Sequence, residues 1–525
     1  MKKYILSILT ILATGTMLLS SCSDAEDPQA LNLARVKMPI NLSAVADQMD
    51  PKITVSWTAT SNADFYIVQA FEDDPTYSGT PAVEVETVES SCVLSNLVGE
   101  VEYYIRVKGI AEGIDDSNWS TISRKTAPEQ ILSVPFNSVE ETSVELTWPT
   151  DRTIDRIDVL LNGSVKKTVP VSTTESAAGT YTITGLNGGG NYTFEAYLGS
   201  KRRGHIDQKT EIGQPTTDYT EELSETTSTR TIQDVLDKYA AQAASDGKTS
   251  YSLTVKLAAG KSYDFYKLND GKKDNFTIPE GMSVYFYGDK ANKPTVTIAC
   301  TQVNIDGNHD VIAFQKVKLE GAKYFVNQSK ACNIGTFDFT LTDISGFKGN
   351  TFFRTQGSNK PNIKNIMVEK CIISDCGNNY SLFDMRKAIV GTVSIKNTTI
   401  YNSTSNGKNI VQADTELSTL SMSGVTVYNA CGNNQAVYNL GNTGENVVIE
   451  DCIFAKSGDD GTQESKAGGT VKINNVYRTS DWTKPIGTLL DGVTATDIFA
   501  DPESGDFTVK EDYVSLNAGD PRWIK

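Results

Sequence analysis

Between Phe314 and Arg478 one short arrangement of apolar and polar positions returns seven times. An apolar residue is followed by two polar or small ones, an apolar or small residue, one further position and usually a second apolar residue. The unit begins at Phe314 (FQKVKL), Phe339 (FTLTDI), Val368 (VEKCII), Ile395 (IKNTTI), Met422 (MSGVTV), Ile449 (IEDCIF) and Ile473 (INNVYR), in steps of 25, 29, 27, 27, 27 and 24 residues. Its content is strand-like, without a helical period. A fixed period of this length marks a solenoid, whose repeats bury a core only by stacking on one another. The spacing predicts a right-handed parallel β-helix.

A second strand precedes the aligned one in successive repeats: YFVNQS, FFRTQG, LFDMRK, IVQADT and VYNLG. Setting their apolar pairs in register puts Asn327, Arg354, Asp384, Gln412 and Asn439 in one column, and Ser329, Gln356, Arg386, Asp414 and Gly441 in another two residues on. Strand alternation sends both columns to one face and the residues between them, Gln328, Thr355, Met385, Ala413 and Leu440, to the other. The outer columns are polar or glycine, so they are expected to line an exposed sheet.

Upstream the pattern changes. Short alternating runs such as ITVSW, FYIVQA and YYIRVKGI over 39–126, and VELTW, IDVLLNG and NYTFEAY over 128–213, predict two small β-sandwiches. Residues 214–229 are polar and aperiodic, which reads as a linker. Thr231 then opens a short amphipathic helix, with Ile232, Val235, Leu236 and Tyr239 at helical spacing, so 230–525 is expected to be the β-helix with an N-terminal capping helix. The fold class is all-β. At the start of the chain, residues 1–22 place two lysines before an apolar run that ends in small residues and Cys22, a secretory signal rather than a membrane span.

Charge and composition narrow the function. A net charge of −17 supplies no basic stripe for phosphate contacts, which argues against nucleic acid as a partner. With only two histidines, His205 and His309, in different predicted domains, Ser-His-Asp triads and His-based zinc sites are excluded. The eight cysteines form no CxxC pair and no metal-ligand spacing. Cys371 and Cys452 share a repeat column, but three coils of about 4.8 Å put them roughly 14 Å apart, so they are expected to be core residues and not a disulfide.

Several stretches resemble known families. The ending LLSSC of the signal resembles a bacterial lipobox, which makes Cys22 the lipidation site, and the following SDAEDP resembles the export signal of Bacteroidota-type surface lipoproteins. The resemblance implies a lipid anchor in the outer membrane, with the chain facing outward. Trp57, then Leu97 shortly before Tyr103, resembles a fibronectin type III domain with its tyrosine corner, and Trp148 with Tyr192 repeats the scheme with a glycine loop. The helix at Thr231, TVKLAAGKSYDF and the repeats resemble the pectin-lyase-like β-helices of the pectate lyase superfamily, and DIFADPESGDFTVKEDYVSLNAGDPRW resembles the closing segment of Bacteroidota β-helix proteins. That family places its sites on a parallel sheet, where neighbouring coils can contact one polymer chain.

The expected ligand site is therefore the two outer columns: Asn327, Arg354, Gln356, Asp384, Arg386, Gln412, Asp414 and Asn439. Arg354 with Asp384, and Arg386 with Asp414, stand in register as cross-strand ion pairs, which are either structural or glycan-contacting. For catalysis the candidates are the same four residues. A lyase would use Arg386 or Arg354 as base, with Asp384 or Asp414 on a calcium ion. A glycosidase would use Asp384 and Asp414 as its carboxyl pair. Otherwise no cofactor or metal is implied. Asn402 and Asn429 are expected to form a side-chain ladder, and Tyr401 with Tyr428 to pack between coils. The loop 357–362 beside Arg354 is an expected rim. The resulting expectation is a cell-surface lipoprotein that captures extracellular polysaccharide for a glycan-utilisation system. The alternatives are a lyase or hydrolase of the same polymer, and an adhesin for host glycoprotein.

Overall fold

The computed structural model describes residues 35–48, 50–224, 230–404, 408–432 and 434–524. Cys22 and the rest of the signal lie outside the described residues. The chain divides into two compact units. The first runs to Val134 and takes in Ser143–Gly185 and Gly190–Thr210; the second holds Pro135–Thr142, Leu186–Gly189 and the chain from Glu211.

The first unit is built from two sandwiches. In one, Ile40–Ala46, Ile53–Thr58 and Ser91–Leu94 form a three-stranded sheet, and Val83–Thr87, Phe65–Glu72, Glu102–Ile110 and Ser120–Lys125 a four-stranded sheet. Alternation sends Ile53, Val55, Trp57, Tyr103, Ile105 and Val107 into the core between them. The Tyr103 hydroxyl accepts the Val98 N–H at 2.9 Å, which closes the expected tyrosine corner. The other sandwich pairs Ser143–Thr147 with Thr180–Thr184 and sets Ser164–Pro170, Arg156–Leu161, Asn191–Leu198 and Lys201–Lys209 in a four-stranded sheet. A short helix, Thr173–Ala178, lies between its strands, and the buried Trp148 Nε1 donates to its Ser176 carbonyl at 3.0 Å.

The second unit is a parallel β-helix of about eight turns. The residues that open the seven repeats stand in one continuous register: Phe314, Phe339, Val368, Ile395, Met422, Ile449 and Ile473. The column extends upstream through Phe286 and Val255. From Val255 to Ile449 it is buried; Ile473 is 45% exposed, and among the described residues the next strand, Thr488–Leu490, pairs only with Tyr477–Thr479 beyond it. Two positions after each of these residues, at Lys316, Leu341, Lys370, Asn397, Gly424, Asp451 and Asn475, φ is positive. One left-handed residue per coil turns the chain sharply between strands, which is why two polar or small positions interrupt every apolar run. Phenylalanines fill the early core, with Phe352 packed against Phe325, Phe339, Phe347 and Phe383 at ring separations of 5.2 to 5.9 Å.

The capping helix is Ile232–Ser245, and Ile232, Val235, Leu236 and Tyr239 are its buried face. Thr231 and Asp234 cap it reciprocally: the Asp234 carboxylate accepts the Thr231 N–H at 2.6 Å, and the Thr231 hydroxyl accepts the Asp234 N–H. One expectation fails here. Within the stretch read as linker, 214–229, Tyr219–Leu223 is a strand, paired in parallel with Tyr251–Leu257. Its alternation is real, but an inward position carries Glu221, which hid it. That carboxylate is satisfied by the Tyr239 hydroxyl at 2.8 Å, by Lys238 at 2.9 Å and by Arg230. Residues 225–229 lie outside the described residues.

The chain ends by folding back on the helix. Phe507, on the antiparallel pair Phe499–Asp501 and Asp506–Val509, packs on Tyr401 and Tyr428 at 5.4 and 5.5 Å. Tyr401 and Tyr428, expected to pack between coils, stand in register on adjacent coils, and their rings support this closing segment. Asn429 Nδ2 donates to Asn402 Oδ1 at 2.8 Å, the expected ladder. Cys371 and Cys452 are fully buried in the core, as expected.

Candidate functional site

Five short strands, Val326–Gln328, Phe353–Thr355, Phe383–Asp384, Val411–Gln412 and Tyr438–Asn439, form one parallel sheet. Their register places Asn327, Arg354, Asp384, Gln412 and Asn439 side by side on successive coils, as the alternation predicts. The intervening Gln328, Thr355, Met385, Ala413 and Leu440 are all buried.

Arg354, Thr355, Gln356, Gly357, Arg386, Lys387 and Asp414 line an open cleft of about 300 Å³ on this sheet. Arg354, Gln356, Arg386 and Asp414 were expected together, and the structure brings them together. Asn327, Gln412 and Asn439 lie outside the cleft. Asn327 donates to Gln302 Oε1 at 3.1 Å, Gln412 Oε1 accepts the Ser381 hydroxyl at 3.0 Å, and Asn439 Oδ1 accepts the Gly441 N–H at 3.3 Å.

The ion pairs differ from those the register implies. Arg386 binds Asp384, two residues back in the chain, through Nε at 2.8 Å and Nη2 at 2.7 Å. Arg354 makes no ion pair among the described residues; its Nη1 donates to Gln356 Oε1 at 2.9 Å, and its guanidinium lies 4.0 Å over the Tyr380 ring. The reason is local. The strand holding Asp384 is only two residues long, so past it Arg386 is free to turn back onto the carboxylate. Asp384 is 1% exposed, beneath the cleft floor rather than on an open face. With both oxygens bound by Arg386, it is unavailable as a calcium ligand or as one of a glycosidase's two carboxyl groups. Among the described residues no group of three or more His, Cys, Asp or Glu side chains is placed to hold a metal ion.

The cleft gathers Arg354, Arg386 and Lys387, with Asp414 as the single carboxylate among its lining residues. Asp384 holds the Arg386 guanidinium above its ordinary range, chiefly through their hydrogen bonds. That pairing also fixes the orientation of the guanidinium, so its remaining donors are presented without rotamer freedom. The Arg354 Nε is buried and has no hydrogen-bond partner. A locally cationic, preorganised cleft of this kind suits an anionic group.

Lys387 and Tyr380 were missed by the column argument. Period-two alternation would send Lys387 away from Arg386, but the chain turns there, with the Lys387 N–H donating to the Thr355 hydroxyl at 3.1 Å. Tyr380 precedes the strand and carries no register signal. Gly357, with φ of 82°, opens the 357–362 loop and is the part of it that lines the cleft.

The family described as Domain of unknown function (DUF5123) matches residues 393–523. That span holds Asp414, the later coils and the closing segment, but neither Arg354 nor Arg386. No curated protein matches the chain. Among solved structures, a two-domain fibronectin type III segment of chicken tenascin is 19% identical, spanning 33% of this chain and 99% of that one with a TM-score of 0.24. The FN5 domain of Drosophila Lar is 20% identical over 18% of this chain and 97% of its own, with a TM-score of 0.16. The architecture of the sandwiches rests on their own strand order and, in the first, on the tyrosine corner at Tyr103.

Proposed function

We propose that the β-helix is a non-catalytic binding module for an acidic polysaccharide, held in the cleft of Arg354, Arg386 and Lys387. The observation that carries this reading is the collection of three cations around one open cleft in a chain of net charge −17. Carboxylates along a pectin-like polymer would meet the free guanidinium donors, and coils spaced by about 4.8 Å let adjacent sugars contact successive coils. The buried, fully paired Asp384 supports binding over hydrolysis or lyase chemistry, since it removes one of the carboxyl groups either reaction would use. In this reading the N-terminal signal delivers the protein to the outer face of the outer membrane through Cys22, the sandwiches act as spacers, and capture serves glycan utilisation.

Electrophoresis of the purified protein through gels containing polygalacturonate tests the proposal. Retardation without product is expected. New unsaturated product absorbing in the ultraviolet, or new reducing ends, would overturn it in favour of a lyase or a hydrolase.

A further inference from the structure

A larger groove, of about 820 Å³, crosses the outer face of a different sheet of the β-helix. It runs over successive coils from Thr297 through Thr301, across Glu320, Gly321 and Ala322, to Ser345, Lys348 and Asp375. Its volume falls in the range of ligand sites. On later coils the same face is occupied by the chain itself: the column Thr297, Glu320, Ser345, Ser374 continues to Tyr401 and Tyr428, which the closing segment covers. On the earlier coils none of the described residues covers it.

The polar groups of the groove fall into two kinds. Its lysines are neutralised, Lys273 by Asp264 at 2.6 Å and Lys348 by Asp375 at 2.8 Å. Along the floor, Thr297, Glu320 and Ser345 stand in register on three adjacent strands, half-buried, and none has a side-chain partner among the described residues. They form a line of hydroxyl, carboxylate and hydroxyl about 10 Å long. Ala299 and Ala322 beside them keep the floor low enough for a ligand to reach it. Gly321 has a different purpose: a Cβ there would meet the Phe347 ring at 2.2 Å, so glycine is required by the core.

We propose that this groove is a second carbohydrate subsite, which takes a neutral, hydroxyl-rich sugar chain lying along the coils. A single free carboxylate accepts hydrogen bonds from two neighbouring sugar hydroxyls, and the flanking Thr297 and Ser345 both donate and accept one coil away on either side. The same Glu320 charge repels an acidic polymer, so the two sites differ in ligand and stand independently. An extended peptide is disfavoured for a structural reason. Peptides bind β-proteins by adding to a free strand edge, whereas Lys318–Gly321 in the groove floor is hydrogen-bonded on both sides, to Thr295–Ile298 and to Asp343–Ser345.

Affinity gels containing galactomannan, arabinan or mixed-linkage β-glucan, run with the full protein, test this. At least one neutral polymer should retard it. Glu320→Ala should weaken that retardation at least tenfold, Ala322→Trp should abolish it by filling the groove, and Arg354→Gln should leave it unchanged, all three with the native melting temperature. The proposal is overturned if no neutral polymer retards the native protein, if both groove variants keep native retardation, or if Arg354→Gln abolishes it. Should either groove variant melt early, Ser345→Ala, which removes only a half-buried hydroxyl without a side-chain partner among the described residues, must reproduce a partial loss for the proposal to stand.

Discussion

Two outer faces of the same β-helix have been put to opposite uses. On one, the outward column reaches Tyr401 and Tyr428, and the chain's own closing segment covers them with Phe507, against which Trp523 packs. On the other, the outward residues are Arg354, Gln356, Arg386 and Asp414, and they remain as an open cleft. Both faces repeat coil by coil in register, so the side chains they present weigh heavily in the outcome. Large apolar surface on a coil is stabilising only when something covers it. A charged column resists covering because its groups would lose water without gaining partners.

The sharpest way to break this contrast is to remove the aromatic contact. Phe507 is fully buried among Tyr401, Tyr428, Phe499 and Trp523. Phe507→Ala should cost about 3 to 5 kcal/mol in chemical denaturation and leave polygalacturonate binding intact. A loss of binding without a loss of stability would mean that the two faces are not separate.

On the open face, Arg386→Ala should also destabilise, by about 3 kcal/mol or more, because it strands the buried Asp384 carboxylate without its partner. The double change Asp384→Ala with Arg386→Ala should recover part of that loss. If the single and double variants unfold at the same denaturant concentration, the stranded Asp384 carboxylate is not what destabilises the single variant.

The covered face should also respond to pH. Burial pushes the Asp520 carboxyl up from 3.8 to about 6, against the lowering influence of Arg522 and Thr399. A carboxyl raised on folding binds its proton more tightly in the folded state. Its stabilisation is therefore full below the unfolded value, near pH 3.8, and is lost as pH rises through about 6. The swing is roughly 3 kcal/mol. Asp520→Asn should flatten the melting temperature between pH 4 and 7 relative to the native protein; an unchanged slope would assign the pH dependence to other groups.

How much of this was legible beforehand differs between the two faces as well. The register of the apolar column and of Asn327, Arg354, Asp384, Gln412 and Asn439 could be read directly, because a stacked core punishes any slip. The pairing of Arg386 with Asp384 could not. Register specifies which backbones are neighbours, whereas the partner of a long side chain at the end of a two-residue strand depends on where the chain turns. Lys387 was hidden for the same reason, and the strand at Tyr219–Leu223 because Glu221 occupies an inward position usually held by an apolar residue. The packing of Phe507 on Tyr401 depends on a return of the chain over many residues, which no local period encodes.

On the proposed function, the open face binds acidic glycan through its cations. Titration calorimetry with oligogalacturonate, comparing the native protein with Arg354→Gln, tests it most directly. Arg354 makes no ion pair among the described residues, so the variant should keep the native melting temperature. Its affinity should fall about tenfold, the loss of one charge-assisted hydrogen bond of about 1.4 kcal/mol. Equal affinity for the two proteins, or no binding by the native one, would mean that these cations do not hold an acidic glycan.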